Sequence, residues 1–200
     1  RNSLLNQLIP YTDTDFITKL QSATPGDILY PTPTSNYIID LTGTPGLDVE
    51  EEVTLVGNYD LLSEPFSITA GGTTIQIVTS PTGTLFTSLN RGPSDQIPSG
   101  TSPHMFVMAP QSAIRNIRLK GAMPGYQDYN KDRLLCVGIK IDKGPSQNTG
   151  PFEISHCEIS DFSHSAIYVR ANSDDIRLNN CNIHHIKGGG GTTTAKGYGV

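Results

Sequence analysis

Apolar positions in the second half of the chain recur in a six-residue pattern, apolar–x–x–apolar–x–apolar. The pattern occurs at residues 114–119 (IRNIRL), 154–159 (ISHCEI) and 178–183 (LNNCNI). The last two copies begin 24 residues apart, and the first begins 40 residues before the second. A period in the low twenties is typical of solenoids, in which each repeat buries its apolar side only by stacking on its neighbours.

Short alternating segments predict a further strand in each repeat, because successive side chains of a strand point to opposite faces. In residues 138–141 and 166–169, the alternation directs Lys140 and Tyr168 outward and four side chains inward: Ile139, Ile141, Ile167 and Val169. The first half predicts earlier strands at 27–30, 37–41, 53–56, 74–78, 85–87 and 105–108. Residues 90–104 and 121–133 are rich in turn residues and predict loops that leave the coil.

The 24-residue spacing also predicts which residues lie side by side in neighbouring coils. The expected apolar neighbours are Ile154 with Leu178, Ile159 with Ile183, and Phe162 with Ile186. The expected outward ion pair is Glu153 with Arg177, and a polar corner is expected from Asn116, His156 and Asn180. Cys157 would lie beside Cys181, pointing inward, and stacked free thiols are favoured over a disulfide because directly stacked side chains run parallel.

An additional resemblance links residues 53–57 (VTLVG) with residues 117–121 (IRLKG), which share an apolar–x–apolar–x–Gly unit. Their separation of 64 residues is not one period, so loops are expected to interrupt the register between them.

The start of the chain predicts a short amphipathic helix at residues 12–23. Thr12 or Thr14 would cap it, and Pro25 with Gly26 would end it. Its apolar stripe consists of Phe16, Ile17, Leu20 and Ala23. The predicted fold is therefore all-β, a right-handed parallel β-helix (solenoid) with a short N-terminal capping helix. Residues 1–27 would form the lead-in and cap, and residues 28–200 the β-helix.

Composition fits this fold and excludes several function classes. Apolar residues make up 36% of the chain and charged residues 16%, and turn-forming residues fill the difference. The net charge of −5 argues against a nucleic-acid partner, and no apolar run reaches the ~18 residues of a membrane span. Three cysteines (Cys136, Cys157 and Cys181) with no CxxC pair argue against a disulfide scaffold or a zinc site.

Histidines provide the main candidate chemistry, since His156, His164, His184 and His185 fall within one 30-residue window. The register places Asp161 beside His185 and Ser160 beside His184. A carboxylate can orient a histidine as a general base, so Asp161, His185 and His184 are the candidate catalytic residues; a plain surface hydrogen bond is the alternative. Asp174 and Asp175 are interpreted as a turn. No metal site is predicted, and calcium is left open without a motif to support it.

The entry segment 16–30, with 20–27 reading LQSATPGD, and the three hexapeptides resemble the right-handed parallel β-helix proteins of the pectate-lyase-like superfamily. The resemblance implies an extracellular or cell-surface protein that handles polysaccharide. It does not imply catalytic residues. Neither the acidic metal cluster with a basic residue, used by lyases of this fold, nor the close aspartates of its hydrolases are found in this sequence.

Two function hypotheses follow. One is a structural or self-associating module, filament-forming or carbohydrate-binding, with Tyr126, Tyr129 and Tyr168 as candidates to stack on sugar rings. Its self-association is expected because residues 199–200 begin a strand without a polar cap, so the coil would continue or a partner subunit would cover it. The alternative is a polysaccharide lyase or glycosidase, and the sequence leaves open whether the protein is an enzyme.

Overall fold

The computed structural model describes residues 6–32, 37–41, 44, 46–87, 104–121, 137–141, 150–162, 165–170, 173–186 and 199–200. Within these residues the fold is all-β, with one short helix, α1 (Phe16–Ser22). The strands of the first half are β1 (Leu8–Tyr11), β2 (Ile28–Pro31), β3 (Ile38–Asp40), β4 (Leu47–Val49), β5 (Thr54–Val56), β6 (Phe66–Ala70), β7 (Thr73–Ile77) and β8 (Leu85–Thr87). Those of the second half are β9 (His104–Met108), β10 (Ala113–Arg115), β11 (Arg118–Lys120), β12 (Val137–Ile141), β13 (Phe152–Ser155), β14 (Glu158–Ser160), β15 (Ser165–Val169), β16 (Ile176–Asn179) and β17 (Asn182–His184).

Most of these strands form three parallel sheets. Sheet 1 has the order β1-β2-β5-β10-β13-β16, sheet 2 the order β17-β14-β11-β8-β3, and sheet 3 the order β15-β12-β9-β4. From β2 onward the chain visits sheets 1, 2 and 3 in turn and returns to sheet 1 one strand further along. Each strand thus pairs with the strand of the same sheet in the circuit before it.

The hexapeptide register is confirmed by this pairing. Ile154 lies opposite both Ile114 and Leu178, and Ile159 lies opposite Ile183. The apolar positions of the first two copies face a continuous core, in which Ile114, Ile154 and Ile159 are fully buried, whereas Leu178 of the third copy is 37% exposed. The alternation in sheet 3 is also confirmed, because Ile139 and Ile141 are fully buried whereas Tyr168 is 43% exposed.

The strand pairing and the ion pairs add detail to two of the sequence-based expectations. Strand β5 pairs with β10, so Leu55 lies opposite Ile114, whereas Leu119 lies opposite Phe86. The VTLVG and IRLKG units therefore belong to different sheets. Glu153 lies opposite Arg177 as predicted, and the two charges attract each other. The groups in direct contact are different, because Glu153 bonds Arg115 of the preceding circuit and Arg177 bonds Asp175.

The helix is shorter than predicted because a turn precedes it. The Thr12 N–H donates to Asp15 Oδ1 at 2.6 Å, and the Asp15 N–H donates to Thr12 Oγ1 at 3.3 Å. These bonds hold residues 12–15 outside the helix, whose N-cap is Asp15. Phe16 is fully buried, with its ring centroid 4.7 Å from that of Phe86, so the helix contributes an aromatic ring to the core.

Three structural features were not predicted: β1, β4 and an antiparallel hairpin formed by β6 and β7. The hairpin lies between β5 and β8 along the chain and turns at Gly71 and Gly72, with φ of 56° and 80°. Its Ile68 and Ile77 pack with Val56 and Tyr30 in a second, smaller apolar cluster.

Some predicted features cannot be placed. Tyr126, Tyr129, Cys136 and His164 lie outside the described residues, as do most of the predicted loops at 90–104 and 121–133. In the part of the chain that the structure describes, no helix has the length and apolar character to cross a membrane.

Candidate functional site

The predicted polar corner exists and joins sheet 1 to sheet 2. Asn116, His156 and Asn180 occupy equivalent positions there, each in the left-handed region with φ of 56°, 53° and 51°. Asparagine tolerates this conformation better than most residues. The Asn116 Nδ2 donates to the Tyr59 carbonyl at 2.9 Å, and the Asn180 Nδ2 lies 3.2 Å from His156 Nε2. The three residues form one polar edge, which we call the corner.

A segment of residues 58–65, here called the groove loop, stands beside the corner. Its base is fixed because Asn58 Oδ1 accepts hydrogen bonds from the Thr84 N–H at 2.8 Å and the Thr84 hydroxyl at 2.7 Å. Further along, Asp60 Oδ1 accepts the Leu62 N–H at 2.8 Å and so tightens the loop. This turn leaves Leu61 and Leu62 67% and 75% exposed at the tip.

Two clefts lie between the groove loop and the corner. The first has a volume of about 360 Å³ and is bounded by the hairpin start, the loop and the outer face of sheet 1. The second has a volume of about 430 Å³ and is bounded by the loop tip and the edge of sheet 2. Asp60, Glu64 and His156 line both clefts. We call the two clefts together the corner groove.

Among the described residues that line the corner groove, carboxylates outnumber cationic groups. The carboxylates are Asp60, Glu64 and Glu153, and the cationic group is the guanidinium of Arg115. The Arg115 guanidinium lies 2.7 Å from Glu153, whose other oxygen accepts the Ser155 hydroxyl at 3.0 Å. Burial would raise the pKa of Glu153, but the hydrogen bond and charge of Arg115 outweigh it and hold that pKa below its ordinary value. Glu153 is therefore a fixed anion at neutral pH.

Sheet 2 carries a second cluster of polar side chains, formed by Glu158, Ser160, Asp161 and His184. Ser160 lies opposite His184, as predicted, but the carboxylate that bonds His184 is Glu158, whose Oε1 lies 2.9 Å from Nε2. Asp161 accepts the Ser160 hydroxyl at 3.1 Å. Asp161 and His185 occupy the same left-handed position in successive circuits, with φ of 60° and 53°. Catalysis by Asp161, His184 and His185 stays a prediction.

The contact between Glu158 and His184 was not predicted, because the strand register places Ser160, and not Glu158, opposite His184. Glu158 lies opposite Asn182, two residues before His184, and only the diagonal reach of a long side chain joins it to the imidazole. The sequence does contain a hint of this contact, because Glu158 and Ser160 are alternate residues of β14 and so point to the same face of the sheet.

The two stacked cysteines are free thiols. Cys157 is fully buried, and burial raises the pKa of its thiol well above the ordinary value. A hydrogen bond from Cys157 holds the pKa of Cys181 below its ordinary value, against the opposing effect of partial burial. Cys181 is thus the more acidic and more accessible thiol of the two.

The remaining candidate, Tyr168, lies on the outer face of sheet 3, opposite Lys140. It does not line the corner groove, which is built from sheets 1 and 2 and the groove loop. The structure therefore separates this aromatic side chain from the clefts.

No three histidine, cysteine or acidic side chains converge as a metal centre within the described ranges. Comparison of the chain with protein-family models, curated proteins and solved structures finds no match. The function must therefore be inferred from the residues and their geometry.

Proposed function

We propose that the protein is a right-handed parallel β-helix, secreted or exposed at the cell surface, that binds a polysaccharide along the corner groove. The handedness follows from the rule that parallel strands are joined by right-handed crossovers. The observation that carries the functional proposal is the corner groove itself, in which two clefts of about 360 and 430 Å³ share one set of polar side chains.

The size and lining of the groove suit a sugar chain. Each cleft falls within the 300–1,000 Å³ that is typical of small-molecule sites, so the pair offers room for consecutive sugar units. Carboxylates, amides and an imidazole supply acceptors and donors for hydroxyl groups. The exposed Leu61 and Leu62 supply an apolar surface for the C–H faces of a sugar ring.

A glycosidase or lyase is the second candidate, favoured by the composition of the first cleft. Asp60, Glu64, Glu153 and His156 all line it, and paired carboxylates are the groups that most glycosidases use as acid and base or nucleophile. The fixed negative charge of Glu153 would suit a stabilising or nucleophilic role and not that of a general acid.

Binding is tested by titrating the protein with neutral, acidic and amino-sugar oligosaccharides in a calorimeter. We expect one class to bind, and a Glu64→Gln, His156→Ala double variant to bind it at least tenfold more weakly. Tyr168→Ser is the matched control, because Tyr168 is exposed on sheet 3 outside the groove. Loss of binding in the control with retention in the double variant would place the site on sheet 3 and refute the groove.

The same samples separate binding from catalysis. Incubation of the bound oligosaccharide, followed by reducing-end and ultraviolet assays for unsaturated products, should leave it intact if the protein only binds. Product formation that Glu153→Gln abolishes would establish the second candidate instead.

A further inference from the structure

His184 and His185 converge although they are adjacent in sequence. Neighbouring side chains on an extended strand point to opposite faces. Strand β17 ends at His184, and His185 adopts the left-handed conformation with φ of 53°. This turn of the backbone brings the two rings together, with centroids 4.8 Å apart and an interplanar angle of 81°.

The two Nδ1 atoms face each other at 2.6 Å. His184 Nε2 lies 2.9 Å from Glu158 Oε1, and a carboxylate only accepts, so Nε2 carries the proton of the neutral ring. Its Nδ1 therefore has a free lone pair directed at His185. With the His185 proton on Nδ1, that N–H donates to the lone pair of His184; with the proton on Nε2, both Nδ1 lone pairs point into the same space.

We propose that His184 Nδ1 and His185 Nδ1 bind a divalent transition-metal ion, with Glu158 holding His184 in the ligating tautomer. Imidazole nitrogen suits zinc, copper and nickel. A carboxylate that accepts the second N–H of a metal-binding histidine is the usual outer partner of such sites. This arrangement is therefore present in Glu158–His184 before any ion arrives.

The geometry needs a small adjustment. Zinc–imidazole bonds of about 2.0–2.1 Å at a tetrahedral angle place two nitrogens about 3.3 Å apart. The Nδ1–Nδ1 distance of 2.6 Å must therefore open by about 0.7 Å when the ion binds. His185 is exposed and His184 retains 32% side-chain exposure, so neither ring is held by the core.

The remaining coordination positions would be filled by water, because a third such ligand does not converge on this pair among the described residues. Asp161 has the turn position equivalent to that of His185 one circuit earlier. The site is open, with two protein ligands, as suits an ion that exchanges with solvent.

Zinc chloride, titrated into the full chain in a calorimeter in a buffer that does not bind metal, tests the proposal. We expect a stoichiometry of one ion for each chain and loss of that event in His184→Gln and in His185→Gln. Glu158→Gln should weaken binding by about tenfold or more, the usual effect of removing an outer carboxylate. His156→Gln is the matched control and should bind as the wild type does.

The change in melting temperature on addition of zinc distinguishes loss of the metal site from misfolding of a variant. Saturating zinc should raise the melting temperature of the wild type and of His156→Gln, and leave that of His185→Gln unchanged. An absence of zinc binding in the wild type would overturn the proposal. So would an equal loss in the His156→Gln control, or full affinity in Glu158→Gln.

Discussion

Asn116 offers the sharpest test of how the corner is built. Replacing it with alanine removes the Nδ2 donor, which lies 2.9 Å from the Tyr59 carbonyl. It also leaves alanine in the left-handed conformation, at a φ of 56°, which asparagine adopts more readily. Asn116 is only 5% exposed, so water does not readily replace the lost donor. Both effects destabilise the same turn between sheets 1 and 2.

The expected loss of stability is the sum of two costs, that of the lost hydrogen bond and that of the backbone strain. Loss of a buried hydrogen bond costs about 1–2 kcal/mol. Alanine in the left-handed region costs about 1–2 kcal/mol, a cost that asparagine largely avoids because its polar side chain bonds locally. Asn116→Ala should therefore lower the free energy of unfolding by about 3 kcal/mol. For a chain of this length that corresponds to a decrease of about 6–12 °C in melting temperature.

The Asn116→Gly variant separates the cost of the lost hydrogen bond from the cost of backbone strain. Glycine loses the same hydrogen bond but accepts the left-handed conformation without strain. Its extra freedom in the unfolded chain costs about 0.4–1 kcal/mol, so the glycine variant should be more stable than the alanine variant by about 1 kcal/mol.

Thermal unfolding followed by circular dichroism measures these differences, with Asn182→Ala as the control. Asn182 is an exposed asparagine in β17, and its replacement should change stability by less than about 0.5 kcal/mol. Equal melting temperatures for the alanine and glycine variants would refute the strain argument. Wild-type stability in both would refute a structural role for the corner.

Two further predictions concern the core and the thiol pair. Phe86→Ala should lower the free energy of unfolding by about 3–5 kcal/mol in urea titrations, because Phe86 is fully buried with its ring centroid 5.3 Å from that of Phe106; a loss below about 1 kcal/mol would contradict this packing. Cys181 should be alkylated by iodoacetamide at lower pH than an ordinary thiol, because Cys157 stabilises its thiolate and lowers its pKa. In Cys157→Ala that pKa should rise and the onset of alkylation, followed by peptide mass spectrometry, should move to higher pH; an unchanged profile would refute the thiol–thiol contact.

The register of the second half could be predicted because it depends on a repeated pattern of inward apolar residues. Ile154 and Leu178 pair at a spacing that the sequence displays directly, and a slip of one residue would turn the fully buried Ile154 outward. The corner could be predicted for the same reason, because Asn116, His156 and Asn180 hold one position of that pattern.

The hairpin and the groove could not be predicted from the repeat, since both arise from an insertion between β5 and β8. A local signal for the hairpin was nevertheless present. Gly71 and Gly72 separate two alternating runs, β6 and β7, and a Gly-Gly pair favours the tight turn that joins antiparallel strands. Nothing in the sequence spacing relates Asp60 or Glu64 to His156, because the groove loop reaches the corner through contacts of the folded chain, such as the hydrogen bonds between Tyr59 and Asn116.

The direct contacts of the charged groups on sheet 1 could not be predicted, because register fixes only which Cα atoms are opposite. Long side chains also reach diagonal and local neighbours. Arg115 therefore bonds Glu153 across a diagonal, and Arg177 bonds Asp175 within its own segment.

Stability and recognition are divided between different parts of the corner groove. Its floor consists of the corner, whose position is fixed by strand register, and the Asn116 N–H donates to the Ser155 carbonyl of the next circuit at 3.0 Å. Its wall is the groove loop, whose tip residues Leu61 and Leu62 contribute little to the core because they are largely exposed. Substitutions at the tip should therefore alter which ligand fits while leaving the unfolding free energy nearly unchanged. Substitutions in the floor cannot be so selective, because the same residues hold successive circuits together.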